Sequence, residues 1–324
     1  MSETEFEIIR RYFQRQKTRR SDVITGIGDD AAVLHPPTDS ELVVCMDTLV
    51  SGVHFPQNTA AAAVGHKVLA VNLSDLAAMG ADPLWATLSL TLPENDAAWL
   101  EEFSSGFFQL ADRYDVQLVG GDTTRGPLSV TVQVHGSVPR GSAIRRSGAQ
   151  PGDRIYVTGS LGDAGLALRL GEQADTQLRQ RLDYPEPQLA AGQALRTYAS
   201  AAIDISDGLL ADLGHLLEAG QLGATVNIDD LPCSAAFTAA LQQCADAHPE
   251  WRHALPLSAG DDYELCFTVT PQACEAAENA LAAVSVEATV IGVIETAAGI
   301  RCVDAAGEGY RPAASGYQHF GEST

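Results

Sequence analysis

Aspartate recurs at the borders of apolar segments in this chain. Asp29 and Asp30 stand in GIGDD, Asp47 in CMDT, Asp75 in NLSDLAAMGADP and Asp122 in LVGGDTTRG; Asp204 and Asp207 stand in AIDISDGL, and Asp261 and Asp262 in AGDDYEL. Each carboxylate adjoins a run that fixes its backbone, as a site on a rigid scaffold requires. Two unit charges 4 Å apart interact by about 4 kcal/mol at an effective dielectric near 20, so converging carboxylates must take up protons or bind cations. Hard oxygen ligands without histidine or cysteine partners suit Mg2+ or Mn2+. Any one of these aspartates alone reads more simply as a turn or cap residue. Ser206-Asp207, ahead of GLLADLGHLLEAG, reads as a helix N-cap. Asp75 lies inside a helical pattern beside Leu73 and Leu76, where a carboxylate has no capping work. As a set they favour a site for several divalent cations.

Other metal and nucleotide chemistries are poorly supported. The eight histidines contain no HExxH, and DISDGLLADLGH lacks the acidic twelfth ligand of an EF-hand. There is no GK[ST] for a P-loop, and no HRD or DFG. GSLGDAG follows a strand, but its GxG pair is broken, which argues against a dinucleotide turn. What remains is a nucleotide site of Mg2+, glycine backbone and arginine. The net charge of -22 argues against nucleic acid as a partner. Lys17 and Lys67 are the only lysines, so an anionic substrate would need metal ions to invert the local field.

The elements that must position these residues follow from hydrophobic pattern. At 324 residues two domains are expected, and 45% hydrophobic residues suit a globular chain. No apolar run approaches the roughly 18 residues of a membrane span. The N-terminal stretch lacks the apolar core of a signal peptide, and six cysteines without a CxxC pair suggest reduced thiols, so a cytoplasmic protein is expected. Phe6, Ile9 and Phe13 suggest a docked amphipathic helix. ELVVCMDTLV, LWATLSLTLP and LSVTVQVHGSV read as strands, with helices over 60–79 and 95–114 between them. RSGAQPGD, residues 146–153, punctuates a boundary between domains 1–145 and 146–324. Beyond it come strand RIYVTG, helices near 163–171, 187–199, 207–219, 234–246 and 272–283, and strands near 201–205, 224–229, 263–269 and 286–294. The fold class is α+β. The terminal GYQHF, with Tyr317, His319 and Phe320, is too aromatic for a solvated tail.

GIGDDAAVL, DTLVSGVHF, AVNLSDLAAMGADP, LVGGDTTRGPL, RSGAQPGD, DISDGLLADLGH, GDDYELCF and GYQHF resemble, in this order, the motifs of bacterial thiamine-monophosphate kinases. These belong to the aminoimidazole-ribonucleotide synthetase (PurM-like) superfamily. The resemblance implies two α+β domains, with an N-terminal mixed sheet that dimerises into a β-barrel. It implies transfer of the ATP γ-phosphoryl group to thiamine monophosphate, assisted by several Mg2+ ions, in a homodimer that binds neither nucleic acid nor membrane. By motif, Asp30, Asp47, Asp75, Asp122, Asp204 and Asp207 would hold Mg2+. Cys45 and Met46 fall on ligand positions that usually carry a hydroxyl. Gly120, Gly121, Arg146 and Ser206 would contact ATP. His54, Asp261 (where the family usually has Glu) and Tyr317 would contact thiamine monophosphate. Domain 1–145 would bind ATP and Mg2+ and dimerise, and 146–324 would complete the active site. No general base is implied, because the acceptor is already an ionised phosphate. The alternatives are another ATP-using synthetase of the superfamily and a noncatalytic nucleotide or cation sensor. The selenophosphate branch is disfavoured because the first cysteine, Cys45, lies inside a strand, and the hydrogenase-maturation branch because the chain ends GEST rather than in cysteine.

Overall fold

The computed structural model describes residues 4–14, 16, 19–244 and 246–319; Lys17, Ala245 and Phe320 lie outside them. The chain divides into a first unit of residues 1–76 and 81–141 and a second of 77–80 and 142–324.

The first unit opens with α1, Glu5–Ile8, continued by a π-helical turn at Ile9–Phe13. The expected stripe of Phe6, Ile9 and Phe13 is only partly correct. Ile8, Tyr12 and Phe13 are buried, whereas Phe6 is 71% exposed. The physical reason is the i→i+5 turn, seen in the Gln14 N–H donating to Ile9 O at 3.1 Å, which advances the side chains by one residue relative to an α-helix.

A short ribbon follows, β1 (Val23–Thr25) against β2 (Val33–Leu34), so GIGDD lies in the loop between two strands rather than in one. β3 (Ser40–Val50) leads through α2 (Ala61–Ala78) to β4 (Asp82–Leu92), and α3 (Ala97–Arg113) leads to β5 (Gln117–Arg125) and β6 (Ser129–Pro139). Strand order is β3-β6-β4-β5, with β4 and β5 parallel and the other pairs antiparallel. Apolar residues alternate along β4 and β6, and Leu84, Ala86, Leu88, Leu90 and Leu92, with Val130, Val132, Val134 and Val138, are all buried. α2 ends at a glycine. Gly80 has φ +66° and donates to Ala77 O, while the Ala81 N–H reaches Leu76 O, a Schellman closure. Asp96 caps α3 through the N–H groups of Ala98 and Trp99.

The second unit holds β7 (Arg154–Thr158), α4 (Asp163–Leu170), α5 (Thr176–Asp183), α6 (Leu189–Leu195) and β8 (Ala199–Asp204). After them come α7 (Leu209–Gly220), β9 (Gly223–Asn227), α8 (Ala235–Cys244) and α9 (Trp251–Ser258). β10 (Leu265–Val269), α10 (Cys274–Ala283), β11 (Ala288–Glu295), β12 (Gly299–Val303) and β13 (Gly309–Tyr310) complete it. The seven strands run β13-β12-β9-β11-β7-β10-β8, antiparallel except for β12 beside β9. Leu209, Leu210, Leu213, Leu216 and Leu217 of α7 close the main core over this sheet, and a second cluster gathers α4, α5, α8 and α9 around Phe237 and Leu255. The expected helix at 207–219 therefore begins at Leu209, and Ser206-Asp207 is not its cap.

Candidate active site

In the first unit the loop between β1 and β2 faces the end of β5 across a cleft of about 960 Å3, within the range of small-ligand sites. Asp30, Gly120, Gly121 and Asp122 line it. Asp29 turns its Oδ1 onto the Asp30 N–H at 2.9 Å, so it shapes the loop that presents Asp30. Parallel pairing sets Gly121 opposite Leu88 and Asp122 opposite Ser89. Gly121 has φ +154°, and a Cβ there would stand 1.8 Å from Leu88 O, so no side chain can shield this backbone from the cleft. Phe6, Ile9 and Phe13 line the same cleft. They are the residues of the expected stripe, serving as a cleft wall.

On β3 the pleat sends Cys45 and Asp47 to one face and Met46 to the other. Cys45 Sγ donates to Asn72 O on α2 at 3.4 Å, and Asp75, three residues on, shares that helix face. Asp75 lies in the last turn of α2, where no basic residue stands; a carboxylate there opposes the helix dipole. Met46 is 61% exposed. Asp47 pairs with Val132, Val132 with Leu88, and Leu88 with Gly121. Three strand spacings, about 14 Å of backbone, therefore separate Asp47 from the Gly121-Asp122 step within this sheet, too far for one shared ion. His54 Nδ1 accepts from the Val50 N–H at 3.0 Å, which puts the proton of a neutral ring on Nε2.

In the second unit three loops meet. Asp261 donates its N–H to Ser206 O at 2.8 Å, and Tyr317 donates to Asp207 O at 2.9 Å. A Cβ on Gly316 would stand 2.7 Å from Asp207 O and 2.5 Å from the Ala211 Cβ, so only glycine allows the C-terminal segment this approach. Ser206, Asp207, Asp261 and Tyr317 are thereby brought together, at the end of the strand that carries Asp204. Tyr317 is 45% exposed and meets His319 edge to face at 5.0 Å. Arg146 begins a 3-10 turn, Arg146–Gly148, and is exposed.

Sequence reasoning missed Asp212. One turn inside α7, its Oδ2 accepts from the N–H groups of Ser206, Asp207 and Gly208 at 3.0, 3.0 and 3.1 Å. Burial, then the charges of Asp204 and Asp207, push its carboxyl up to about 7. An acidic residue one turn beyond Ser-Asp-Gly was the available signal, since such a side chain can reach back to open N–H groups.

Among the described residues no three acidic, histidine or cysteine side chains form a ready metal cage. The donor set nevertheless suits Mg2+, which takes one or two carboxylates and completes its shell with water and phosphate oxygens. Asp30 and Asp122 face one cleft, and the charges of Asp204 and Asp207 raise the carboxyl of the neighbouring Asp212.

Comparison with known proteins identifies the fold and the family. The N-terminal domain of AIR synthase related proteins matches residues 28–138, and their C-terminal domain matches 150–304. These matches and the fold define the class: a two-domain, PurM-like α+β protein. The thiamine-monophosphate kinase of Salmonella typhimurium is 52% identical over 296 residues, covering 89% of this chain and 89% of that protein. The crystal structure of thiamine-monophosphate kinase from Stenotrophomonas maltophilia K279a superposes with a TM-score of 0.84 at 47% identity, over 93% of this chain and 97% of that one. AaThiL complexed with AMPPCP and TMP superposes with a TM-score of 0.76 at 31% identity, over 91% and 92% of the two chains. The chain belongs to the thiamine-monophosphate kinase family.

Proposed function

We propose that the chain transfers the γ-phosphoryl group of ATP to thiamine monophosphate, giving thiamine diphosphate and ADP. Similarity to thiamine-monophosphate kinases over nearly the whole length carries this reading, and the AaThiL complex with AMPPCP, an ATP analogue, and TMP supports it. A phosphate oxygen of thiamine monophosphate attacks the γ-phosphorus in line as the bond to the β-phosphate oxygen breaks. The attacking oxygen is already ionised, so no side chain need remove a proton and no catalytic base is assigned.

The protein's work is placement. The bare backbone at Gly120 and Gly121, with Arg146 and Ser206, receives the phosphates of ATP. His54, Asp261 and Tyr317 receive thiamine monophosphate. Asp30, Asp47, Asp75 and Asp122 of the first unit and Asp204 and Asp207 of the second would hold Mg2+, with Met46 available through its main-chain carbonyl, while the Cys45 thiol is turned onto Asn72 O. Several bound Mg2+ ions would supply the positive field that offsets the charge of two phosphate-bearing substrates. Residues 1–145 bind ATP and Mg2+, and 146–324 supply the remaining contacts.

A homodimer through the first sheet accompanies this reading. β3 is an edge strand, and Leu42, Val44 and Met46 are each at least half exposed along it, an apolar edge that a lone chain would leave open to association. No helix among the described residues is long and apolar enough to cross a membrane; the reading places the enzyme in the cytoplasm, and the net charge of -22 disfavours nucleic acid as a partner.

ATP consumption measured with and without thiamine monophosphate tests the function. Dependence on thiamine monophosphate, with no label left on the denatured protein after γ-labelled ATP alone, is the expected result. Consumption indifferent to it, or none, would return the chain to the synthetase or sensor readings, and stoichiometric label would require a phosphoenzyme.

Tyr317→Ala should weaken thiamine monophosphate binding by about 1–2 kcal/mol through loss of a ring face for the cationic thiazolium, raising its apparent KM roughly tenfold. Mg-ATP binding should barely change. Calorimetry with each ligand separately decides it; equal losses for both would remove Tyr317 from the substrate site.

A further inference from the structure

We propose that Asp262 is a positioning residue that locks the turn at 260–263 and so fixes the direction in which Asp261 presents its carboxylate. The inference rests on the reading of Asp261 as a substrate contact. Gly260, Asp261 and Tyr263 have φ of +74°, +61° and +50°. Two side-chain-bearing residues in the left-handed region within three positions persist only where the surroundings over-determine them. On one side the turn is held by the N–H groups of Asp261 and Tyr263, which donate to Ser206 O and Ile205 O at 2.8 Å each. The Tyr263 hydroxyl donates to Asp261 Oδ1 at 3.0 Å, orienting that carboxylate.

Asp262 points the other way and is 3% exposed. Its Oδ1 accepts from the Gly162 N–H at 2.8 Å, tying the turn to the residue ahead of α4. Its Oδ2 has no hydrogen-bond partner among the described residues. The charged and titratable groups around it are Asp163 on α4, Arg181 on α5, Glu264 ahead of β10 and Cys233 ahead of α8. The single guanidinium is engaged by Glu264 at 2.6 Å and stands 3.8 Å from Asp163. Burial accordingly raises the Asp262 carboxyl well above its ordinary value. The contribution of Asp262 to the turn is thus its shape and one accepted hydrogen bond, which asparagine can reproduce.

The full-length chain with Asp262→Asn and with Asp262→Ala tests this in two ways. In steady-state kinetics Asp262→Asn should keep both KM values within about twofold of the starting protein. Asp262→Ala should raise the KM for thiamine monophosphate about tenfold, equivalent to ~1.4 kcal/mol, while leaving that for Mg-ATP within about twofold. In hydrogen exchange read by mass spectrometry, Asp262→Ala should lose protection over the peptide containing the Asp261 and Tyr263 amides, and Asp262→Asn should keep it. An alanine variant with unchanged protection, an asparagine variant that behaves like alanine, or equal losses for both substrates overturns the lock. A starting protein that does not turn over thiamine monophosphate would sink the kinase reading instead, and the exchange measurement would still decide the role of Asp262.

Discussion

Asp122→Asn should lower turnover by about a hundred- to a thousandfold, the loss typical when one group that opposes transition-state charge is removed, and should leave the fold intact. Asp122 is exposed on β5 at the cleft, where its carboxylate contributes nothing to a core. Asparagine keeps the size and the cross-strand pairing with Ser89 but removes the charge that a divalent cation would meet. Thermal stability without metal should be unchanged or higher, because the cleft also holds the carboxylate of Asp30 and like charges are relieved. Kinetics at ordinary Mg2+ and a melting curve in chelator check both halves. Near-normal turnover would remove Asp122 from the catalytic machinery.

Arg181→Ala should destabilise the chain by about 3 kcal/mol, lowering Tm by roughly 6–12 °C if the second unit melts as one body. Asp163, Asp262 and Glu264 are all nearly inaccessible, and Arg181 donates to Glu264 Oε1 at 2.6 Å. Removing a buried partner leaves uncompensated charge, which costs about 3–5 kcal/mol; the lower end applies because the Arg181 side chain is 26% exposed. The pH dependence has a definite sign. Burial raises Glu264 and Asp262 above their ordinary values, and Arg181 opposes that rise in both. Carboxyls raised in the folded state bind more protons than in the unfolded chain, so their protonation favours folding in acid and that advantage fades as pH rises. The deficit of Arg181→Ala should therefore widen between about pH 5 and 8, and adding Glu264→Gln should recover part of it. A flat deficit across that range would show the loss to be packing alone.

The strands that carry the site were legible because burial on one face writes a period of two into the chain; β4 and β6 are the plain cases. The aspartates were legible because carboxylates beside apolar runs are hard to explain otherwise. Tertiary partners were not legible. Asp212 looks like any polar position on the face of α7 until the loop ahead of that helix folds back over it. α5 and α9 were missed for different reasons. TQLRQRLD shows only Leu178 and Leu182 to the core, and WRHALPLS carries Pro256 inside the helix. Asp261 and Asp262 are identical as letters, yet one lies at the surface of its loop and the other in the interior. That division depends on the left-handed backbone between them, which no periodicity announces.

The five-residue turn at Ile9–Phe13 makes the beginning of the chain intolerant of a change in length. It carries one residue more per turn than an α-helix holds, and that surplus keeps two registers apart: Ile8 and Tyr12 turned to the interior, Phe6 and Ile9 turned to the cleft. Deleting a single residue there would restore regular helical geometry and rotate everything before it by about 100°. Anchoring and cleft wall would then compete for the same face. Substitutions along this segment can be absorbed one at a time, but a one-residue deletion would be felt at both surfaces at once.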